Sequence, residues 1–252
     1  SCSDRLELMK KLDTLGSYAR VYFDNNNRVN DSESFLNTQR SIFGDDPSEQ
    51  VQDQQTTIDN ANDSYELGAS YRHALNKDLY LDFRYSYNNN EQSNERSVSD
   101  FDEVTGNYVF NATLSSDFNF NVDKHVPEVG FGSNGKKFRF NLRARIEQIG
   151  LDNEDFIQST TFSKDYSNLL FNSYANYDIG NGKRFSAHYN TNLNVPSVNQ
   201  LQPVPNVSNP LNIIVGNPNL GPEISHNLYL NYNNYNWKDR MGIFSYSGMH
   251  CR

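Results

Sequence analysis

Apolar and polar residues alternate along short segments of this chain, which is the pattern of β-strands with one apolar and one polar face. The clearest segment is 138–146, where apolar residues occupy every even position and Arg139, Asn141, Arg143 and Arg145 occupy the odd positions. The same alternation runs through 79–87, 185–193 and 224–232, more weakly through 15–23, 65–71, 112–122 and 169–179, and again from about Met241. The pattern predicts an all-β protein.

The lengths of the connections between these segments also alternate. Short turns are predicted at 75–78, 132–136, 180–183 and 237–239, and long polar loops at 25–63, 88–111, 151–165 and 194–223. Short turns on one side and long loops on the other are typical of a transmembrane β-barrel with periplasmic turns and extracellular loops. Within the first loop, residues 34–43 are compatible with either a strand extension above the membrane or a simple loop.

The faces of segment 138–146 can be assigned from its charges. An arginine facing lipid near the middle of the bilayer costs about 2–4 kcal/mol, so three of them on one strand would be prohibitive. We therefore predict that Arg139, Arg143 and Arg145 face the lumen and that Leu142 and its even neighbours face lipid. In residues 112–131, the apolar positions are even up to Val122 and odd from Val129, which predicts a bulge or kink between Lys124 and Pro127.

The segments number about nine, and each is about 10 residues long, the length that spans a bilayer when tilted. An odd count leaves two free edges, whereas bacterial single-chain barrels close with an even number of strands. The prediction is a single domain over 1–252 that forms part of a larger antiparallel barrel. The strand pattern is clearest over 64–248 and least regular over 1–63, and 194–223 is predicted to be an ordered extracellular loop.

Composition and charge argue against several other classes of protein. The mean hydropathy is −0.79 and no apolar run approaches the roughly 18 residues of a membrane helix. The net charge of −9 argues against nucleic acid as a partner. Cys2 and Cys251 lie at opposite ends of the chain and lack the close spacing of cysteines in zinc-binding and redox motifs. The sequence leaves open whether a disulfide joins them. No catalytic, cofactor-binding or metal-binding set of residues is predicted.

The sharpest local motif lies in the predicted loop 194–223. It consists of the stretch Pro196-Ser-Val-Asn-Gln-Leu-Gln-Pro203, then Asn209-Pro-Leu-Asn212, then Gly216-Asn-Pro-Asn-Leu-Gly-Pro-Glu223. This order and spacing resemble the outer-membrane β-barrel domain of TonB-dependent receptors. The matching residues are Pro196, Ser197, Gln200, Leu201, Pro203, Asn209, Pro210, Gly216, Asn217, Pro218, Leu220, Pro222 and Glu223. Gly221 stands where that family often has a basic residue.

The resemblance implies an energised importer in the outer membrane of a Gram-negative bacterium. Such receptors have about 22 strands around a plug. Their partners are outer-membrane lipid and the TonB system, and the ligand would be a siderophore, glycan or peptide. The resemblance covers only the barrel wall and the outer loops of such a receptor. The plug and the segment that contacts TonB are therefore expected in parts of the protein outside this chain. Two alternatives remain: a passive or structural outer-membrane barrel, and a soluble, secreted β-rich binding module.

Overall fold

A computed structural model describes residues 2–42, 48–157, 159–201, 215–217, 219–236 and 241–251. They form one antiparallel sheet of 11 strands and one short helix. The elements are β1 (Cys2–Lys11), β2 (Tyr18–Ile42), β3 (Ser48–Ala74), β4 (Leu79–Asp102), β5 (Asn107–Phe110), β6 (Ser116–Asn134), β7 (Phe138–Asp155), β8 (Thr160–Gly180), β9 (Lys183–Asn194), α1 (Val198–Leu201), β10 (Glu223–Asn236) and β11 (Met241–Cys251).

The strands follow one another around the sheet in chain order. Ten of them form an unbroken succession, while the short β5 pairs only with the outer end of β4. Within the described residues, β1 and β11 are the two edges, so the sheet is an open, partial barrel wall. This confirms the predicted fold class. The succession has ten strands rather than the expected nine because it includes β1, which the sequence pattern did not predict. The predicted odd count is therefore wrong.

Alternation divides the sheet into two faces of different chemistry. We call the face that carries Leu142 and Ile146 the outward face, and the face that carries Asn141 and Glu147 the inward face. Leu142 is 52% exposed and Ile146 is 40% exposed, whereas Asn141 is 1% exposed and Glu147 is 6% exposed. Side chains crowd together on the concave side of a curved sheet, so the inward face is the concave one.

The outward face carries a continuous apolar band around the lower half of the wall. Its exposed large side chains include Val21, Phe23, Leu67, Phe83, Val129, Phe131, Leu142, Ile146, Leu169 and Phe171. Strand pairing brings these residues to similar heights on adjacent strands. An exposed apolar band of this extent on an alternating sheet is the lipid-facing surface of a transmembrane barrel.

Several strands continue far above this band. Strands β2 and β3 stay paired from Tyr18 and Arg72 up to Ile42 and Ser48. At about 3.3 Å per residue, the 25 residues of β2 reach about 80 Å, well beyond the roughly 30 Å hydrocarbon core. The predicted loops 25–63, 88–111 and 151–165 are therefore largely strand. Residues 34–42 are a strand extension, and residue 43 lies outside the described residues.

The predicted short turns are largely confirmed. Residues 75–78 join β3 to β4, 135–137 join β6 to β7, and 181–182 join β8 to β9. In the last of these, Asn181 has a φ of 54° and Gly182 a φ of 78°, which is left-handed backbone that asparagine and glycine tolerate best. The predicted turn 237–239 lies outside the described residues. A further short turn, 12–17, joins β1 to β2.

Of the bulge or kink predicted between Lys124 and Pro127, the bulge is wrong. The β6–β7 register advances by three residues on each strand from the pair His125–Gln148 to the pair Glu128–Arg145. Proline lacks an N–H group, so it removes a ladder hydrogen bond without adding a residue. The change from even to odd apolar positions instead reflects an apolar cluster on the inward face, described below.

Two further features concern the whole described chain. None of its helices is long and apolar enough to cross a membrane. Cys2 on β1 and Cys251 on β11 are free thiols at the two edges of the sheet, so no disulfide joins them.

Candidate ligand-facing wall and loop

The inward face of the apolar-band region is lined by paired charges. Asp82 takes two hydrogen bonds from Arg72, at 2.7 and 2.9 Å. Glu128 lies 3.5 Å from Arg84 and 3.8 Å from Arg143. On adjacent strands, these acid–base pairs share one face because hairpin register places same-face residues opposite each other. The wall therefore presents a polar, charge-compensated surface behind the lipid-facing band.

The structure places all three predicted lumen-facing arginines on the inward face. Arg143 approaches Glu128, and Arg145 donates a 2.9 Å hydrogen bond to Glu147, which also lies 2.6 Å from Lys124. Arg139 is exposed near the turn, paired in register with Asn134 and Asn176. That this face borders a water-filled lumen stays a prediction.

Near the β1–β3 part of the wall, a cleft of about 320 Å³ collects more charge. Arg5, Arg20 and Arg84 line it together with Glu66 and Glu128. Glu7 also pairs with Arg20 at 2.9 Å. The cleft therefore carries charges of both signs.

Aromatic residues border the apolar band on the outward face. At its upper edge, the Tyr65 and Tyr87 rings are 5.9 Å apart, and Tyr85 hydrogen-bonds His125 at 2.7 Å. Farther around, Tyr189 hydrogen-bonds His226 at 2.8 Å. Amphipathic rings at this height are typical of a membrane–water interface.

Above the band, the inward face becomes apolar between β6 and β8. Phe120, Ile149, Leu151 and Leu201 form a buried cluster, flanked by the partly buried Phe118, Val122, Phe162, Tyr166, Leu193 and Val195. The strand residues of this cluster sit on the extracellular side of the polar wall. Their burial explains the change of apolar positions in β6, because Phe118, Phe120 and Val122 belong to the inward face.

The loop motif begins at this cluster. Ser197 and Gln200 cap α1, since the Gln200 side-chain oxygen accepts hydrogen bonds from the Ser197 amide at 3.0 Å and hydroxyl at 3.2 Å. The capped turn carries Leu201, whose side chain is 0% exposed within the cluster. The loop is therefore fastened to the inward side of the extracellular wall at one apolar residue.

The later part of the motif is tied to the same region. The Asn217 amide donates to the Gln200 carbonyl at 2.6 Å, and the Tyr166 hydroxyl donates to the Leu220 carbonyl at 3.0 Å. Pro196, Gly216 and Pro222 are half-buried, and Glu223 begins β10 opposite Asn194. The remaining predicted motif residues, Pro203, Asn209, Pro210 and Pro218, lie outside the described residues.

At the extracellular tip, β5 folds back on β4. Tyr108 packs edge-on against Phe101 at 5.4 Å and donates a 2.9 Å hydrogen bond to Asp53, which raises the pKa of its phenol. In the turn between the two strands, the hydroxyl of Thr105 and the amide of Val104 lower the pKa of Asp102. Phe101 thus contacts Tyr108 while its residue stays 39% exposed.

Sequence reasoning missed the acidic partners Asp82, Glu128 and Glu147 and the cluster around Leu151. A usable signal existed for the acids once the hairpin register is set from the short turns. Asp82 then lies opposite Arg72, Glu128 lies opposite Arg84 and Arg145, and Glu147 lies diagonal to Lys124. The cluster had only a weak signal, the change of apolar positions in residues 118–131.

An apolar outward band, aromatic borders, a polar inward wall and long extracellular strands together define part of a transmembrane β-barrel. The family model described as "Outer membrane protein beta-barrel family" matches residues 10–250, and the chain belongs to that family. It is an outer-membrane protein of a Gram-negative bacterium. This excludes the alternative of a soluble, secreted module.

Solved structures with the same fold are transporters. The copper transporter OprC superposes with a TM-score of 0.59 at 12% identity, covering 98% of this chain and 37% of its own. The ferric citrate transporter FecA in its unliganded form superposes with a TM-score of 0.54 at 12% identity, covering 93% of this chain and 34% of its own. This chain thus spans about a third of their length. No curated protein has a significantly matching sequence.

Proposed function

We propose that this chain forms part of the barrel wall and outer loops of a TonB-dependent receptor. The receptor would import a scarce ligand, a siderophore, glycan or peptide, across the outer membrane. The observation that carries the proposal is the anchored loop, in which Ser197, Gln200 and Leu201 fix the receptor-like motif against the inward side of the extracellular wall.

The wall chemistry supports the same role. Paired charges such as Arg72–Asp82 make the inward face polar without a large net field. A polar inner wall fits a lumen filled by water or by a plug. In this proposal, the plug and the segment that contacts TonB belong to parts of the protein outside this chain.

Transport rather than chemistry fits the residues described. The neighbouring folds are those of transporters for ferric citrate and copper, as their names state. The wall offers charge pairs and amides rather than a nucleophile beside a general base. The proposal therefore assigns the chain to uptake and no catalytic step.

The test compares growth of four strains: wild type, a deletion of the gene, the deletion complemented by the gene, and a deletion of tonB. Each is grown on a panel in which one ferric chelate, oligosaccharide or peptide is the limiting source. We expect at least one source to support wild-type and complemented growth but neither deletion.

Two results would overturn the proposal. Growth that needs this gene but persists without TonB would favour a passive barrel, since diffusion requires no energy coupling. Normal growth of the gene deletion on every member of a panel whose members all require TonB would remove the assigned role in uptake.

A further inference from the structure

Above the apolar band, the two faces of β2–β4 carry different charges. On the outward face, the acids Asp31, Asp59 and Glu95 lie side by side, because register pairs Asp31 with Asp59 and Asp59 with Glu95. Asp63 and Glu91 form a second such pair, two same-face positions lower on β3 and β4. The alternation of these strands separates this acidic surface from a very different inward surface.

The inward surface at the same height has side-chain amides and arginines and no carboxylate. Over residues 26–38 of β2, 54–64 of β3 and 88–98 of β4, every acidic residue falls on the outward face. The inward positions include Arg28 and Arg96, and burial lowers the pKa of Arg96. No ion pair of Arg28 occurs among the described residues.

A cavity of about 500 Å³ lies on this inward surface, within the roughly 300–1,000 Å³ range of small-molecule sites. We call it the amide cavity. Its lining includes Arg28, Asn60, Asn62, Asn94, Phe118 and Ser197. Ser197 connects it to the capped turn of the anchored loop, so the cavity lies where the loop meets the wall.

The cavity offers a specific set of contacts. Side-chain amides both donate and accept hydrogen bonds, which suits a ligand with many hydroxyl groups. Asn94 already bonds Asn60, whereas the buried side-chain oxygen of Asn62 has no partner. Phe118 adds an apolar ring, and Arg28 supplies a positive charge that forms no ion pair with another described residue.

We propose that the amide cavity binds an anionic carbohydrate, with Arg28 holding the acidic group and the asparagine amides holding the hydroxyls. The inference rests on the proposed function and narrows its ligand to one class. A neutral sugar would leave the Arg28 charge without a partner. A cationic ligand would meet Arg28 and Arg96, with no acidic group on the inward face of β2–β4 at this height to receive it.

The sign of the local potential can be tested without knowing the ligand. In the full-length receptor with Cys2→Ser and Cys251→Ser, single cysteines are introduced as Asn94→Cys on the inward face and Glu95→Cys beside it on the outward face. Labelling rates are measured with two thiol reagents, the sulfonate 2-sulfonatoethyl methanethiosulfonate and its trimethylammonium counterpart, relative to rates with free cysteine.

We expect the anionic reagent to react at least threefold faster than the cationic one at position 94, because positive potential concentrates anions. The preference should reverse at position 95 and should weaken at position 94 when Arg28→Gln is added. Equal preference at the two positions, or faster cationic labelling at position 94, would overturn the inference.

Ligand class is tested by applying the purified full-length receptor to an array of oligosaccharides that contains uronic acids, sulfated sugars and their neutral counterparts. We expect binding to at least one anionic member, weakened at least tenfold by Arg28→Gln and unchanged by Glu95→Gln on the outward face. Binding only to neutral oligosaccharides, or undiminished binding by the Arg28→Gln variant, would overturn the proposal of an anionic carbohydrate. Anionic binding together with TonB-independent uptake would support the cavity while contradicting the proposed function.

Discussion

Arg72 and Asp82 face each other across the β3–β4 hairpin, and two hydrogen bonds of 2.7 and 2.9 Å join the guanidinium to the carboxylate. The Asp82 side chain is 3% exposed, and the Arg72 guanidinium also lies 3.8 Å from the centre of the Tyr80 ring. A carboxylate this enclosed depends on its partner, because removing one member of a buried pair leaves an uncompensated charge.

We therefore predict that Arg72→Leu lowers the free energy of unfolding of the full-length barrel by about 3 kcal/mol. The double variant Arg72→Leu with Asp82→Leu should recover most of this loss, since it removes both charges. Urea unfolding in lipid vesicles, followed by tryptophan fluorescence or gel mobility, measures both. A double variant no more stable than Arg72→Leu alone would show that charge pairing does not set the cost.

The face assignment predicts a strong asymmetry for an introduced arginine. Leu142→Arg, in the middle of the outward band, should cost about 2–4 kcal/mol and impair membrane assembly. Ser186→Arg is the matched control, because Ser186 lies on the inward face of β9 between Asn176 and Asn231. The fraction of folded barrel is read from heat-modifiable gel mobility. Equal assembly of the two variants would contradict the assignment.

The anchored loop predicts a local effect at Leu201. Truncation of a buried leucine to alanine typically costs 2–5 kcal/mol, about what is needed to free a loop held by few other contacts. Leu201→Ala should therefore speed proteolytic cleavage within residues 195–222 at least tenfold while leaving assembly unchanged. Leu220→Ala, which alters a side chain 38% exposed in the same loop, is the control. Unchanged cleavage of Leu201→Ala would mean that this residue is not the anchor.

The β1–β2 turn predicts a pH dependence. The hydroxyl and amide of Ser17, with the amides of Gly16 and Leu15, lower the pKa of Asp13 from 3.8 to about 2. A lowered pKa in the folded state means that these hydrogen bonds stabilise the turn fully above pH 3.8, and that the stabilisation is lost as the pH falls towards 2. Carboxyl NMR shifts of Asp13 should titrate near 2. Ser17→Ala should move the midpoint upward, and a wild-type midpoint near 3.8 would disprove the turn geometry.

The sequence was sufficient to predict the wall within the membrane height. There, one face meets an apolar medium and the other a polar one, so residues such as Leu142 and Asn141 must differ. The turn 181–182 was equally visible, because left-handed backbone favours the sequence Asn181-Gly182. Both features follow from local constraints that a single sequence records.

The parts that could not be predicted lie above the membrane. Strands β2–β4 continue where both faces meet water or protein, so polar residues occupy both faces. The alternation of apolar and polar residues is therefore lost, as at Asp59 and Asn60. The inward cluster around Phe120 depends on Leu201, which is about 80 residues farther along the chain. Such a long-range contact left only a change of apolar positions in β6, which was misread as a bulge.

The fold predicts that the outward face meets lipid and that the inward face meets water or polar protein. Spin labels placed at positions 142 and 190 of the full-length barrel in lipid vesicles test it through collisions with oxygen and with a water-soluble nickel chelate. Position 142 should favour oxygen, as lipid does, and position 190, on the inward face of β9, should not. Equal oxygen preference at both positions, or a higher one at position 190, would contradict the account.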